Sequence, residues 1–165
     1  IEKILKDNEK KFYAQIANDN SDGQIVLSGK NEDLESVSNF LKDKKIKNIK
    51  LPVSAPFHCE LMTNATDIMK KELENVDFKN SNNTLISNVT ADEILNVKDL
   101  KNLLISQIEK KVRWRESIIN MVNYGVSQFI EIGPGKVLSG LIKRINKNVK
   151  ITSINNQSDI ESLRI

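Results

Sequence analysis

The chain has 165 residues, carries 25 Lys or Arg against 22 Asp or Glu for a net charge of +3, and contains one cysteine and one histidine. That length fits one domain, or one domain with a small appended lobe; a lone Cys59 excludes an intrachain disulfide and a cysteine-built zinc site, and a lone His58 excludes a His-cluster metal site. No dense basic stripe with interleaved aromatics points to nucleic acid, and neither an apolar run of membrane-span length nor a secretory leader pattern is found, so a reducing, cytoplasmic setting away from membranes is expected.

Taken in order, Ile1–Asn8 reads as the end of an amphipathic helix, with Ile1, Ile4 and Leu5 on one side. The chain starts in mid-pattern and without Met, which reads as a partial chain. Phe12–Ala17 reads as a strand, the polar stretch Asn18–Gly23 as a turn, and Gln24–Ser28 as a second strand closing a hairpin. Asn31 is placed to cap a helix over Glu32–Lys44 with Leu34, Val37, Phe40 and Leu41 inward. A third strand is expected over roughly 46–53. With one more strand in front, this order becomes a split βαββαβ, ferredoxin-like unit. Beyond it, Leu61, Ala65, Ile68, Met69 and Leu73 mark a helix, Thr84–Val89 a strand and Val97–Ile108 a helix. A helix over Arg115–Tyr124 stops at Gly125, and a short apolar strand Phe129–Ile132 follows. Gly133-Pro-Gly135 then leads into a helix over Lys136–Ile145, a strand over Val149–Ile154 and a short helix near Ser158–Leu163. Strands alternating with helices at this spacing indicate a mostly parallel α/β sheet.

The stretch Leu51-Pro-Val-Ser-Ala-Pro-Phe-His58-Cys-Glu-Leu-Met62 carries the chemistry. Pro52 and Pro56 stiffen the approach to His58, because proline fixes its own φ and pushes the preceding residue to extended geometry. An imidazole on such a turn suits acid–base work; the alternative is a histidine satisfying helix-end backbone groups. If His58 opens the following helix, the positive end of the helix dipole favours the neutral ring. A neutral base needs an acceptor for its other ring N–H to fix the tautomer, and no serine or aspartate sits nearby at catalytic spacing. Cys59 reads as a small packed residue. Gly133-Pro-Gly135-Lys136 lies between a strand and a helix like a phosphate loop but lacks the spacing of one; a tight turn is the alternative. The polar Asn18–Gln24 stretch is either a hairpin tip or the edge of a ligand cleft, and Trp114 with Val112 reads as core.

Four separated stretches together resemble one family, in order and spacing along essentially the whole chain. They are Asn18-Asp-Asn-Ser-Asp-Gly-Gln24-Ile-Val-Leu-Ser-Gly29, the His58 turn, Gln107 through Val112-Arg-Trp114, and Phe129-Ile-Glu-Ile-Gly-Pro-Gly-Lys-Val-Leu-Ser-Gly-Leu-Ile-Lys-Arg144. The chain resembles the C-terminal part of bacterial malonyl-CoA:acyl carrier protein transacylases. The resemblance implies an α/β fold in two parts: residues 1–51 as a ferredoxin-like small subdomain lacking its first strand, and residues 52–165 as a portion of an α/β-hydrolase-like core. It implies acyl transfer through a malonyl-serine ester, with malonyl-CoA and a phosphopantetheinyl acyl carrier protein as substrates and no cofactor or metal.

Within that resemblance His58 is the catalytic base, and Gln107 supplies the backbone carbonyl that accepts its other N–H, leaving the Gln107 side chain replaceable. Phe57 would crowd a 2-methyl branch, a lean towards malonyl worth about 1–3 kcal/mol. Asn18, Asn20 and Gln24 would line the cleft between subdomains, although Asp22 stands where the family commonly has proline. The family's G-H-S-x-G nucleophile elbow does not occur in these residues. Its malonate-binding arginine is expected upstream of Ile1 and is matched by neither Arg113 nor Arg115. Two alternatives are a non-catalytic fragment that docks an acidic carrier protein and an acyltransferase module of a polyketide synthase.

Overall fold

A computed structural model describes residues 1–163 of the chain. Its elements are α1 (Glu2–Asp7), β1 (Ala14–Ser21), β2 (Gln24–Gly29), α2 (Asn31–Asp43), a 3₁₀ turn (Glu60–Met62), α3 (Thr63–Glu74), α4 (Val97–Ser106), α5 (Trp114–Asn123), β3 (Gln128–Ile132), α6 (Val137–Ile145), β4 (Lys150–Ile154) and α7 (Gln157–Glu161). The mixed α/β content agrees with the expected class.

The first unit is the antiparallel β1–β2 hairpin, paired from Ala14 opposite Gly29 to Ser21 opposite Gln24. Only Asp22 and Gly23 make the reversal, with Gly23 at φ +76 in the region glycine enters without a Cβ clash. The expected turn over Asn18–Gly23 is therefore mostly strand. Its polar residues remain in the ladder because register shifts between Ile16 and Asn18 and between Asp19 and Ser21 let the strand bend. Helix α2 covers the hairpin, and Phe12, Val37 and Leu41 form a core flanked by Ile1, Ile4, Leu5, Leu27 and Phe40. Lys30, not Asn31, stands at the N-cap, with no side-chain cap bond. Asp33 in the first turn accepts from the Tyr13 N–H instead, which joins α2 to the start of β1.

The expected strands over 46–53 and 84–89 do not form. Residues 46–53 run without a ladder, leaving Ile49 76% and Val53 62% exposed. In the second stretch only Ile86 makes a bridge, to Glu93. Both carry strand-like composition, but a strand also needs a neighbouring backbone to pair with.

In the second unit β3 and β4 pair in parallel from Gln128 with Lys150 to Ile132 with Ile154, joined through α6. Gly125 at φ +96 ends α5 as expected. Ile118 of α5 is fully buried, and Leu141 and Ile142 of α6 and Ile154 of β4 are buried with it. A parallel bridge links β1 to the residue two before α5: Val112 donates to the Ala17 carbonyl at 2.8 Å, and Asp19 N–H donates to the Val112 carbonyl at 2.9 Å. None of the described helices is long and apolar enough to cross a membrane.

Candidate active site

His58 sits in a tight turn after Pro56, at φ +59. A non-glycine residue in this left-handed region costs about 1–2 kcal/mol and persists only where the surroundings fix it. Two bonds from one short segment do so: the His58 N–H donates to the Ile108 carbonyl at 3.1 Å, and ring Nδ1 lies 2.7 Å from the Gln107 carbonyl oxygen. A carbonyl can only accept, so Nδ1 is the nitrogen that donates to it. In the neutral ring that bond leaves Nε2 as the nitrogen with the free lone pair.

The helix-dipole argument does not apply. The 3₁₀ turn begins at Glu60 and α3 only at Thr63, so His58 precedes the helical residues rather than opening them. The bond to the Gln107 carbonyl at the end of α4 orients the ring. Cys59 is 1% exposed, with its thiol donating to the Pro56 carbonyl at 3.1 Å; it is a packed residue, as expected.

The turn is also tied to β1. Gln15 Oε1 accepts from the Glu60 N–H at 2.8 Å, and the Tyr13 hydroxyl donates to Glu60 Oε2 at 3.0 Å while accepting from Gln15 Nε2 at 3.1 Å. The Glu60 hydrogen bond, with burial and the carboxylate charge, raises the Tyr13 pKa. Sequence reasoning assigned no role to Tyr13, Gln15 or Glu60, because contacts spanning 45 and 47 residues leave no local pattern.

The segment that holds His58 is itself pinned. Arg113 N–H donates to the Asn88 carbonyl at 2.9 Å, Arg113 Nη1 donates to the Thr90 carbonyl at 2.8 Å, and its other nitrogens grip the Glu116 carboxylate. The Gln107 side chain is also engaged: its Oε1 accepts from Asn88 Nδ2 at 3.2 Å.

The hairpin residues divide. The Asn18 backbone bridges to Val112, five residues beyond the Gln107 that binds His58. Asn20 is half-buried beside it on β1. Gln24 turns the other way, its Oε1 accepting from Arg144 of α6. Asp22 and Asp19 both accept hydrogen bonds from Arg115. Phe57 is 50% exposed beside His58.

The phosphate-loop alternative at Gly133–Lys136 fails on local geometry. Glu131 already fills the α6 N-terminus, accepting from Leu138 N–H at 3.0 Å and Ser139 N–H at 2.8 Å. A carboxylate there repels an anion. One cleft, of about 370 Å³ and lined by Thr90, Asp92, Glu93, Leu95 and Asp99, holds none of the expected residues. A second cleft, about 230 Å³, includes Asn88 and Gln107 in its wall. The candidate site therefore rests on the bonds to His58 rather than on concavity. Among the described residues no group of three or more His, Cys, Asp or Glu could hold a metal ion.

No protein-family model matches the chain. Among curated proteins it is 43% identical over 157 residues to the malonyl CoA-acyl carrier protein transacylase of Bacillus subtilis, covering 94% of this chain and 50% of that protein. The Synechocystis transacylase is 32% identical over 163 residues, covering 99% of this chain and 54% of its own length. A solved malonyl CoA-acyl carrier protein transacylase from Clostridium perfringens superposes with a TM-score of 0.91 at 38% identity, over 98% of this chain and 51% of that one. Another solved structure, a type II PKS acyl-carrier protein in complex with its malonyl-transacylase, matches with a TM-score of 0.90 at 30% identity, over 97% of this chain and 52% of that one. The chain spans about half the length of the relatives it matches.

Proposed function

Because the chain belongs to the malonyl CoA-acyl carrier protein transacylase family, we propose that it supplies the base-carrying part of an S-malonyltransferase of fatty acid biosynthesis, with an acyl carrier protein as partner. The observation that carries this reading is the 2.7 Å bond between His58 Nδ1 and the Gln107 carbonyl, which leaves Nε2 as the base.

In this reading a serine from polypeptide outside these 165 residues gives its proton to His58 Nε2 as its oxygen attacks the malonyl thioester carbonyl. The C–S bond breaks, and the proton passes from Nε2 to the leaving thiolate of coenzyme A. The phosphopantetheine thiol of the carrier protein then gives its proton to Nε2, and its sulfur attacks the malonyl-serine ester. The ester C–O bond breaks and the serine oxygen recovers the proton. No cofactor enters these steps. Phe57 beside His58 would face the acyl group and disfavour a 2-methyl branch, and Asn18 and Asn20 would line the cleft. Gln24 is a weaker member, since Arg144 already engages it. We place residues 1–51 in a ferredoxin-like subdomain lacking one strand and 52–165 in part of an α/β-hydrolase-like core.

The test mixes this chain with a complementary segment of a relative that bears a G-H-S-x-G elbow, and follows malonyl transfer to a carrier protein. Transfer should appear in the mixture and fall by about 10²–10⁴ with His58→Ala. Near-normal turnover in that variant would overturn the mechanism. The lack of a G-H-S-x-G motif in these residues favours a second reading, a non-catalytic module that docks an acidic carrier protein. Salt-sensitive carrier binding with no transfer in the mixture would select it.

A further inference from the structure

We propose that Asn88 is a positioning residue for the base: through the Gln107 side chain it fixes the carbonyl that sets the His58 tautomer. This rests on the reading of His58 as the base. The argument is one of connectivity. Residues 107–113 hold His58 through two carbonyls, those of Gln107 and Ile108. Asn88 reaches both ends of that segment, its carbonyl accepting from Arg113 N–H at 2.9 Å and its Nδ2 donating to Gln107 Oε1 at 3.2 Å.

Asn88 is itself held on a stiff support. Ser87, 5% exposed, accepts from the Ala91 N–H at 2.9 Å through its carbonyl and from the Val89 N–H at 3.1 Å through its hydroxyl. Ala91 within this turn is fully buried at φ +59. On the other side Gln107 follows directly on α4, beyond the last turn of the helix, where backbone carbonyls lack intrahelical partners and the chain frays. A side-chain bond to a rigid turn removes that freedom. The pair is half-buried in the wall of a cleft that Leu100, Leu103 and Leu104 also line, which shields the bond in part from water.

The single histidine makes the test direct, because a long-range ¹H–¹⁵N spectrum of the full chain shows one imidazole. With the ring neutral, wild type should show the Nδ1–H tautomer. Asn88→Ala should draw the two ring nitrogen shifts together as the tautomers mix, and Gln107→Ala should do the same although its carbonyl remains. The double variant should go no further than either single one. Asn88→Asp should keep the wild-type shifts, because the Gln107 amide can rotate to donate to the new carboxylate. If Asn88→Ala does not fold, Gln107→Ala removes the same bond without touching the Ser87–Ala91 turn and decides the matter. A wild-type ring without the Nδ1–H tautomer would overturn the base reading itself. A wild-type Nδ1–H ring left unchanged in folded Gln107→Ala overturns the role of Asn88 alone.

Discussion

The Nδ1 atom of His58 and the carbonyl oxygen of Gln107 lie 2.7 Å apart across 49 residues of chain, and the backbone of His58 stands at φ +59 to make the contact. Strain and hydrogen bond belong together. The left-handed conformation aims the ring, and the bond is part of what holds the conformation.

Comparing two substitutions at position 58 isolates the strain. His58→Ala and His58→Gly both delete the ring and its bond, but only alanine keeps a Cβ that resents positive φ. Glycine should be the more stable of the two by up to about 1 kcal/mol, the reverse of their usual order. Urea unfolding of the two variants reads the difference. An alanine variant as stable as the glycine one would mean that the turn relaxes freely.

The grip of Arg115 on the hairpin yields a second prediction. Its Nε and Nη2 bind both oxygens of Asp19 at 2.9–3.2 Å, and Nη1 binds Asp22 at 3.0 Å. Hydrogen bonding to Asp19 raises the guanidinium pKa further. The Arg115 side chain is 39% exposed, so solvent discounts the pair; about 1 kcal/mol is expected for Arg115→Ala. Lysine cannot reproduce the two-pronged contact, so Arg115→Lys should recover less than half of the loss. A double-mutant cycle with Asp19→Asn measures the coupling, and a coupling near zero would reduce the pair to surface decoration.

Legibility followed the range of each interaction. Local pattern located α2, α5, α6 and the β3–β4 pair to within a residue or two, because apolar periodicity and Gly125 act over one or two turns. It placed strands at 46–53 and 84–89 that do not form, because pairing depends on chain far away in sequence. His58 stood out as a candidate through its prolines and its solitude. The acceptor at Gln107 came only from the family resemblance, since a backbone carbonyl has no sequence signature. Asn88 left no trace for the same reason: its partners, Gln107 and Arg113, lie 19 and 25 residues on, and nothing in its own neighbourhood marks it out.

Glu131 makes the stability of the second unit sensitive to acid. Its carboxylate is held below the usual value by hydrogen bonds from the Ser139 side chain and from the Ser139 and Leu138 N–H groups, against a smaller opposing effect of burial. A carboxylate lowered in the folded state contributes fully above its ordinary pKa of about 4.5 and loses that contribution as pH falls through the lower folded value. Glu131→Gln should therefore be less stable than wild type near neutrality, with the gap closing in acid. Urea midpoints of both proteins across that range test it. A gap independent of pH would mean that the charge at the α6 N-terminus contributes nothing.

The exposed face of β3 leads to the last prediction. Ile130 and Ile132 alternate onto one side of the strand, 39% and 80% exposed, and Val137 at the start of α6 is 70% exposed. Parallel strands are ordinarily covered on both faces, yet this two-stranded sheet presents apolar side chains to water. Contiguous apolar surface of this kind associates with whatever covers it. Alone, the chain should bind a hydrophobic dye and sediment as concentration-dependent oligomers. Ile132→Lys should reduce both, with stability changing by no more than about 0.5 kcal/mol because the side chain is already in solvent. The complementary segment of a relative should suppress dye binding by wild type, and Ile132→Lys should weaken its association with that segment. A wild-type chain that stays monomeric and dye-free at high concentration would show that this face needs no cover.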